Sequence, residues 1–251
     1  STRKVPAFLV NGKVFQGEPY FGNFFKTAVK LHKGKNRILV KFAGKYKRKF
    51  RFQITPTNKK AIFLEDFTKP DLVPELKQTE FPIAVPVLNI QETWLRGARI
   101  VFEEKNGSFH QEFELDPIPP FGIVKMPLLL KLDEPRKKDL DFRIKLMREG
   151  VLDAADLSLE KKKLEEPHRI TFHSKIDRSV QYFSVRYPKN YDPEKSYGVI
   201  FSLHGAGVEA SHLASQYSSK DWAFVITPTN RRPYGFDWQD WGRLDFLEVY
   251  N

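Results

Sequence analysis

The hydrophobic and polar positions of this chain change period twice, and the changes divide it. Near the start, Ala7-Phe8-Leu9-Val10 runs into Asn11-Gly12, a strong hairpin-turn pair. An apolar run with Phe25, Ala28 and Leu31 spans 24–31. The turn Lys33-Gly34-Lys35-Asn36 follows, then a strand pattern over 37–42 that Ala43-Gly44 breaks. From Tyr46 to Ile54 the alternation is regular. Tyr46, Arg48, Phe50 and Phe52 fall on one side; Lys47, Lys49, Arg51 and Gln53 fall on the other. A period of two predicts a strand with one wetted face. Short strands and turns at this spacing predict a β-sandwich.

A Pro- and acid-bearing stretch over 66–76 marks the first boundary, placed after residue 78. Strands are predicted over 83–90, 98–103, 109–115, 122–130 and 141–147, with a hairpin at Asn106-Gly107 and a corner at Pro117, Pro119 and Pro120. That density suits an immunoglobulin- or fibronectin-like sandwich over 79–166. The charged run 159–166 reads equally as a last strand or a helical linker. From Pro167 the pattern changes again. Paired strands are predicted over 169–172 and 180–187, then a buried-type strand into His204. A short helix over 210–218, a second buried-type strand over 223–227 and a helix with Leu244, Leu247 and Tyr250 follow. Continuous apolar strands alternating with helices predict a parallel sheet in an α/β unit over 167–251.

Composition sharpens this in two ways. The 251 residues contain no cysteine, which excludes disulfides, thiolate metal sites and a cysteine nucleophile. No run approaches the length of a membrane span, and no signal peptide is visible at the start. The formal charge of +11 is unevenly placed: residues 1–60 hold 16 Lys/Arg and one acid, Glu18, so the remainder is slightly acidic. The six histidines show no metal-ligand spacing, and Gly12, Gly17 and Gly22 make no phosphate loop.

The candidate chemistry sits at Leu203-His204-Gly205-Ala206-Gly207, just after the apolar run 198–202. Acyl transfer passes through a tetrahedral oxyanion, which backbone N–H donors about 2.7–3.1 Å away stabilise. A glycine-rich turn at a strand's C-terminal end can present them. The candidate donor is the Ala206 N–H; Gly205 and Gly207 permit the bend, and His204 holds the loop by hydrogen bonding.

Upstream, Ile170-Thr171-Phe172-His173-Ser174-Lys175-Ile176-Asp177-Arg178-Ser179-Val180-Gln181-Tyr182 resembles the entry to the catalytic domain of prolyl-oligopeptidase-like serine hydrolases. Tyr187-Pro188-Lys189-Asn190-Tyr191-Asp192 and the His204 turn are similar to poly-hydroxybutyrate-depolymerase-type esterases, also of the α/β-hydrolase superfamily. The resemblance covers about the last 85 residues. It implies two β-sandwich-like modules followed by the N-terminal part of an α/β-hydrolase domain, cofactor-free, acting on an ester or peptide substrate that could be polymeric. A secreted or extracytoplasmic setting is expected. The resemblance also implies a Gly-x-Ser-x-Gly elbow, an acid and a base after the His204 turn, and the chain has no such elbow. The isolated chain is therefore expected to be inactive. Its incomplete sheet is expected to associate with its own missing C-terminal part or with a second copy.

Other features carry two readings each. Ser202, Ser211 and Ser219 read as strand, cap and loop residues, and His212 as a surface residue. Trp238 and Trp241 could line a substrate pocket or close a lid over the core. Arg231 and Arg232 could meet acids or a substrate carboxylate, although a solvated loop is favoured. The basic strand 45–51 could bind a polyanion or only discourage edge pairing. The alternative to the hydrolase is a non-catalytic carbohydrate- or polyanion-binding β-sandwich protein.

Overall fold

The computed structural model describes residues 2–3, 5–18, 26–41, 51–205, 208–231 and 237–251. The strands of the basic module are β1 (Thr2–Arg3), β2 (Val5–Val10), β3 (Lys13–Glu18), β4 (Ile38–Lys41) and β5 (Arg51–Phe52). They form a three-stranded sheet in the order β3-β2-β4 and a β1–β5 pair. Asn11 and Gly12 both take positive φ, 50° and 85°, as the tight β2–β3 hairpin requires. Phe8 and Val10 are buried against Phe15, Val29, Ile38 and Val40. Residues 26–31 of the expected apolar run form neither strand nor helix. Most of the basic strand 45–51, residues 45–50, lies outside the described residues.

The central module is a sandwich of two antiparallel sheets. Its strands are β6 (Ala61–Phe63), β7 (Glu80–Asn89), β8 (Arg99–Glu104), β9 (His110–Glu114), β10 (Ile123–Lys131), β11 (Leu140–Met147) and β12 (Val151–Leu159). The sheet orders are β10-β7-β6 and β12-β11-β8-β9. Strand β11 shows the cause most plainly: Leu140, Phe142, Ile144 and Leu146 are buried, while Asp141 and Arg143 face water. These side chains interdigitate with Ile83, Val85 and Val87 of the facing sheet, and Phe102 meets Phe142 edge-on at 5.5 Å.

Two expectations shift here. Residues 61–78, assigned to the first module, pack with the second: β6 pairs with β7, and Ala61, Phe63 and Leu72 belong to the sandwich core. The run 159–166 is neither a separate strand nor a helix. Leu159 ends β12, and Lys161 makes only a parallel bridge to Leu72. Strand β12 itself was hidden by Asp153-Ala154-Ala155-Asp156, residues depleted in strands. Its pairing with β11 is supported by Arg143 on Asp156 at 2.9 Å, and Lys59, just before β6, reaches Asp153 at 2.6 Å.

The last unit comprises β13 (His168–His173), β14 (Val180–Arg186), β15 (Gly198–Phe201), α1 (Ala210–Ser215), β16 (Ala223–Pro228) and α2 (Trp241–Tyr250). The sheet order is β13-β14-β16-β15. An antiparallel entrance, β13–β14–β16, leads to the expected parallel pair, β15–β16. Helix α1 crosses between the parallel strands on the face of Thr227, whose hydroxyl donates to the Ala210 carbonyl at 2.9 Å. Helix α2 lies on the other face, where Phe201 meets Phe246 at 5.1 Å. The Asp71 segment covers the β13 edge: Asp71 N–H donates to Arg169 O at 3.1 Å, and Arg169 N–H donates to the Asp71 carboxylate at 2.8 Å. Burial raises the Asp71 carboxyl above its ordinary pKa. Among the described residues, no helix is long and apolar enough to cross a membrane.

One buried polar side chain sets the sandwich corner. Asn89, fully buried, donates to the carbonyls of Thr93, Ile118 and Pro119 at 2.8, 3.1 and 3.0 Å and accepts from Gln91 N–H. Asn89→Leu strands several of these groups and is expected to cost about 3 kcal/mol. Urea unfolding measures it, and a loss below about 1 kcal/mol contradicts the assignment.

Candidate active site

The parallel pair extends one residue past β15, where Ser202 N–H donates to Ile226 O at 2.9 Å. The chain then leaves the sheet through His204. Val208 N–H closes onto Gly205 O at 3.2 Å, a turn whose central residues, Ala206 and Gly207, lie outside the described residues. The candidate donor, the Ala206 N–H, is therefore one of the undescribed atoms.

His204 is 4% exposed. Its Nε2 lies 3.1 Å from Thr229 O, just after β16, and its Nδ1 lies 3.1 Å from Gly205 O. A neutral imidazole carries one N–H and donates to one of these carbonyls at a time. Both nitrogens face backbone oxygens, so the ring ties the loop after β15 to the loop after β16 and is not placed to take a substrate proton. Trp238 closes the third side. Its indole N–H donates to His204 O at 2.9 Å, and the two rings sit 5.1 Å apart.

The loop that receives His204 is itself fixed from α2. The Asp245 carboxylate accepts Thr229 N–H at 3.1 Å, Thr229 Oγ1–H at 3.2 Å and Asn230 N–H at 2.8 Å. Asn230 and Arg231 take positive φ, 62° and 45°. Asn230 reaches so close to α2 that a Cβ on Gly242 would lie 1.8 Å from its Oδ1; only glycine fits there.

Arg231 corrects the expectation of a solvated loop. It is 4% exposed and meets acids: Asp177 at 2.7 Å, Glu248, and Asp245 at 3.8 Å, with Ser174 Oγ accepting at 2.5 Å. A buried guanidinium without these partners would be prohibitively costly. Arg232 lies outside the described residues. Burial alone would raise the Asp177 carboxyl, but hydrogen bonds from Ser179 and the Arg231 pair outweigh it and bring it to about 2. Burial dominates at Asp245 and raises it.

The remaining candidates have structural partners. Ser211 Oγ receives the Arg169 Nε–H at 2.8 Å and contacts Ser184 Oγ at 2.7 Å. Ser202 meets the Tyr217 hydroxyl at 2.7 Å, and Ser219 donates to Glu165 O at 3.1 Å. His212 is exposed on α1. Glu209 caps that helix by accepting His212 N–H at 3.1 Å. Burial opposes its ionisation, but the Tyr182 hydroxyl, Arg169 and the helix amides lower its pKa overall. Trp241 is 44% exposed, with the Arg231 guanidinium 5.9 Å from its ring centre. A groove of about 300 Å³ between the end of β13 and α2, lined by Phe172, His173, Leu244 and Leu247, includes neither His204 nor Trp238. Among the described residues, no His/Asp/Glu group is arranged to hold a metal ion.

Sequence reasoning missed Asp177, Asp245 and Glu248. The available signal was Gly242 and Asp245, three apart on one helix face, where an inward glycine beside an inward acid marks a close approach.

Neither a protein-family model nor a curated protein matches the chain. Among solved structures it is similar to a thermostable esterase, with TM-score 0.22 and 14% identity, over 64% of this chain and 57% of that one. It is also similar to a putative beta-galactosidase from Bacteroides fragilis, with TM-score 0.33 and 11% identity, over 84% and 35%. The chain thus spans less than two thirds of the length of either structure.

Two outcomes follow from the geometry. Arg231→Met leaves Asp177, Asp245 and Glu248 without their cation and is expected to cost about 3–5 kcal/mol in chemical denaturation. It also changes the acid limb. In the wild type, the Asp177 pair contributes fully above its ordinary pKa of 3.8 and is lost as pH falls through about 2. That loss is absent in the variant, and an unchanged acid limb contradicts the pairing. Trp238→Phe removes the indole donor, worth about 1 kcal/mol, so amide exchange over 202–209 is expected to quicken about fivefold with the sandwich unaffected. Unchanged exchange there refutes the brace.

Proposed function

We propose that this chain carries the oxyanion-stabilising part of an acyl-transfer site, in a serine hydrolase acting on an ester or peptide. One observation carries the reading: the position of the His204 turn in the sheet. The connections out of the two parallel strands leave on opposite faces, α1 after β15 and α2 after β16. In open α/β sheets such a divergence opens a crevice at the strands' C-terminal ends, where ligands bind. The His204–Thr229 contact spans that point.

The chemistry follows from the turn. When a nucleophile adds to a carbonyl, negative charge gathers on its oxygen. Backbone N–H groups that are already fixed stabilise it without reorganising. In this reading the Ala206 N–H is the donor, supplied from the loop between the third strand of the unit and its first helix, where α/β-hydrolases take one of their two donors. His204 and Trp238 position that loop. The exposed Trp241 ring is assigned to the acyl side of the substrate. The nucleophile, its base and its acid are assigned to residues other than those of this chain, because Ser202, Ser211 and Ser219 are engaged structurally and the sequence has no Gly-x-Ser-x-Gly turn. No cofactor is invoked.

The test uses the native protein and p-nitrophenyl esters of graded acyl length. Ala206→Pro removes the donor N–H and is expected to lower kcat by about 10²–10³ with KM little changed. A native protein without esterase or amidase activity, or a variant with unaltered kcat, refutes the reading.

A further inference from the structure

The hydrolase reading leaves the charge of the first module unused. Residues 1–60 carry 16 of the 42 Lys/Arg against a single acid. Two sets stand out among the described cations of this module. Those facing the central sandwich are paired with its acids: Lys26 with Glu65 at 2.6 Å, Lys30 with Glu92 at 2.7 Å and Lys59 with Asp153 at 2.6 Å. Four others gather at the end of the sheet where the β2–β3 turn lies beside the segment entering β4, while Lys41 sits at the far end of β4. Lys13, Lys33, Lys35 and Arg37 are exposed there, and among the described residues no carboxylate pairs with any of them.

This end is built, not frayed. The Asn36 carboxamide accepts His32 N–H at 2.9 Å and donates to His32 O and Gly34 O at 2.9 and 3.1 Å, closing a ring around the Lys33-Gly34-Lys35 tip. Gly34 supplies the positive φ of 92° that the tip needs. Asn11 locks the tip to the neighbouring turn. Its Nδ2 donates to Asn36 Oδ1 at 2.8 Å, its Oδ1 accepts Arg37 N–H at 2.9 Å, and its own N–H donates to Arg37 O at 2.9 Å. Like charges held together without counter-charge cost self-repulsion. An anionic partner removes that cost, and the fixed backbone lessens the ordering that binding must overcome.

We propose that the Lys13/Lys33/Lys35/Arg37 end of the basic sheet is a docking surface for a linear acidic polysaccharide. The side chains decide between polyanions. Single-stranded nucleic acid is gripped by aromatic platforms and planar arginine forks. Here three of the four cations are lysine ammonium groups, Phe8 and Phe15 pack with the sheet's own core, Phe15 under the Lys13 ammonium at 5.6 Å, and among the described residues the exposed ring at this end is the His32 imidazole. The outer face of the sheet adds an aliphatic row, Val14 and Leu39 at 65% and 55% exposure beside Leu9, in cross-strand register. Ammonium groups beside aliphatic surface suit sulfate- or carboxylate-bearing sugars. This surface is independent of the His204 turn, so its failure leaves the hydrolase reading standing.

The test titrates the full chain with a defined heparin oligosaccharide at several salt concentrations, beside single-stranded DNA of equal charge. Lys33→Gln/Lys35→Gln is expected to weaken heparin binding about tenfold or more at low salt and to reduce the log–log salt slope by about 2. Lys137→Gln/Lys138→Gln removes the same charge from the β10–β11 loop and is expected to change affinity less than about twofold, the contribution of net charge alone. Asn36→Ala keeps every charge but releases the tip, and is expected to weaken binding several-fold with the salt slope retained. Equal losses in the two lysine pairs, unaltered binding in Asn36→Ala, tighter binding of the DNA, or no heparin binding at all would each overturn the proposal.

Discussion

The candidate site depends on Arg231 being buried. A guanidinium at 4% exposure must be surrounded by acids, and two different elements supply them. Asp177 comes from the β13–β14 turn, and Asp245 and Glu248 come from α2. Satisfying one cation therefore draws the entrance hairpin, the loop after β16 and the second helix to one point. Asp245 then uses its other oxygen to hold Thr229 and Asn230. Thr229 in turn offers the carbonyl on which His204 rests. The His204 end of the turn after β15 is placed through this series of contacts.

The arrangement also separates two tasks. The polar series on the α2 side fixes backbone, while the opposite face is closed by small residues: Ala210 and Ala214 of α1 are buried against β16, and Thr227 bonds into the helix. Close approach on one side and a charge cluster on the other keep the two strand ends at a constant spacing. Donors aimed at a developing charge need that constancy more than they need strength, because a loop that reorganises during the reaction forfeits its advantage. The segment around Asp71 gives the sheet a covered edge at β13 and ties it to the sandwich.

Much of the architecture was legible. Runs with a clear period, such as Leu140–Met147 and Ala223–Pro228, became the strands they predict, because burial on one or both faces imposes the pattern directly. Asn11-Gly12 formed its turn for a local steric reason. What escaped was nonlocal. Strand β12 has too many Ala and Asp residues to announce itself and is a strand because β11 pairs along its length. Residues 61–78 joined the sandwich because Ala61–Phe63 finds an edge on β7, which no spacing reveals. In the site, His204 was legible as a loop anchor. The burial of Arg231 was not, since its partners lie 54, 14 and 17 residues away along the chain.

The central claim is that the His204 turn serves an acyl-transfer site completed by a serine nucleophile. The most direct measurement is to treat the native protein with a serine-directed fluorophosphonate and map the labelled peptide by mass. The account predicts one labelled serine, on a Gly-x-Ser-x-Gly peptide that this 251-residue sequence does not contain. A native protein that takes up no label, or is labelled at Ser202, Ser211 or Ser219, contradicts it.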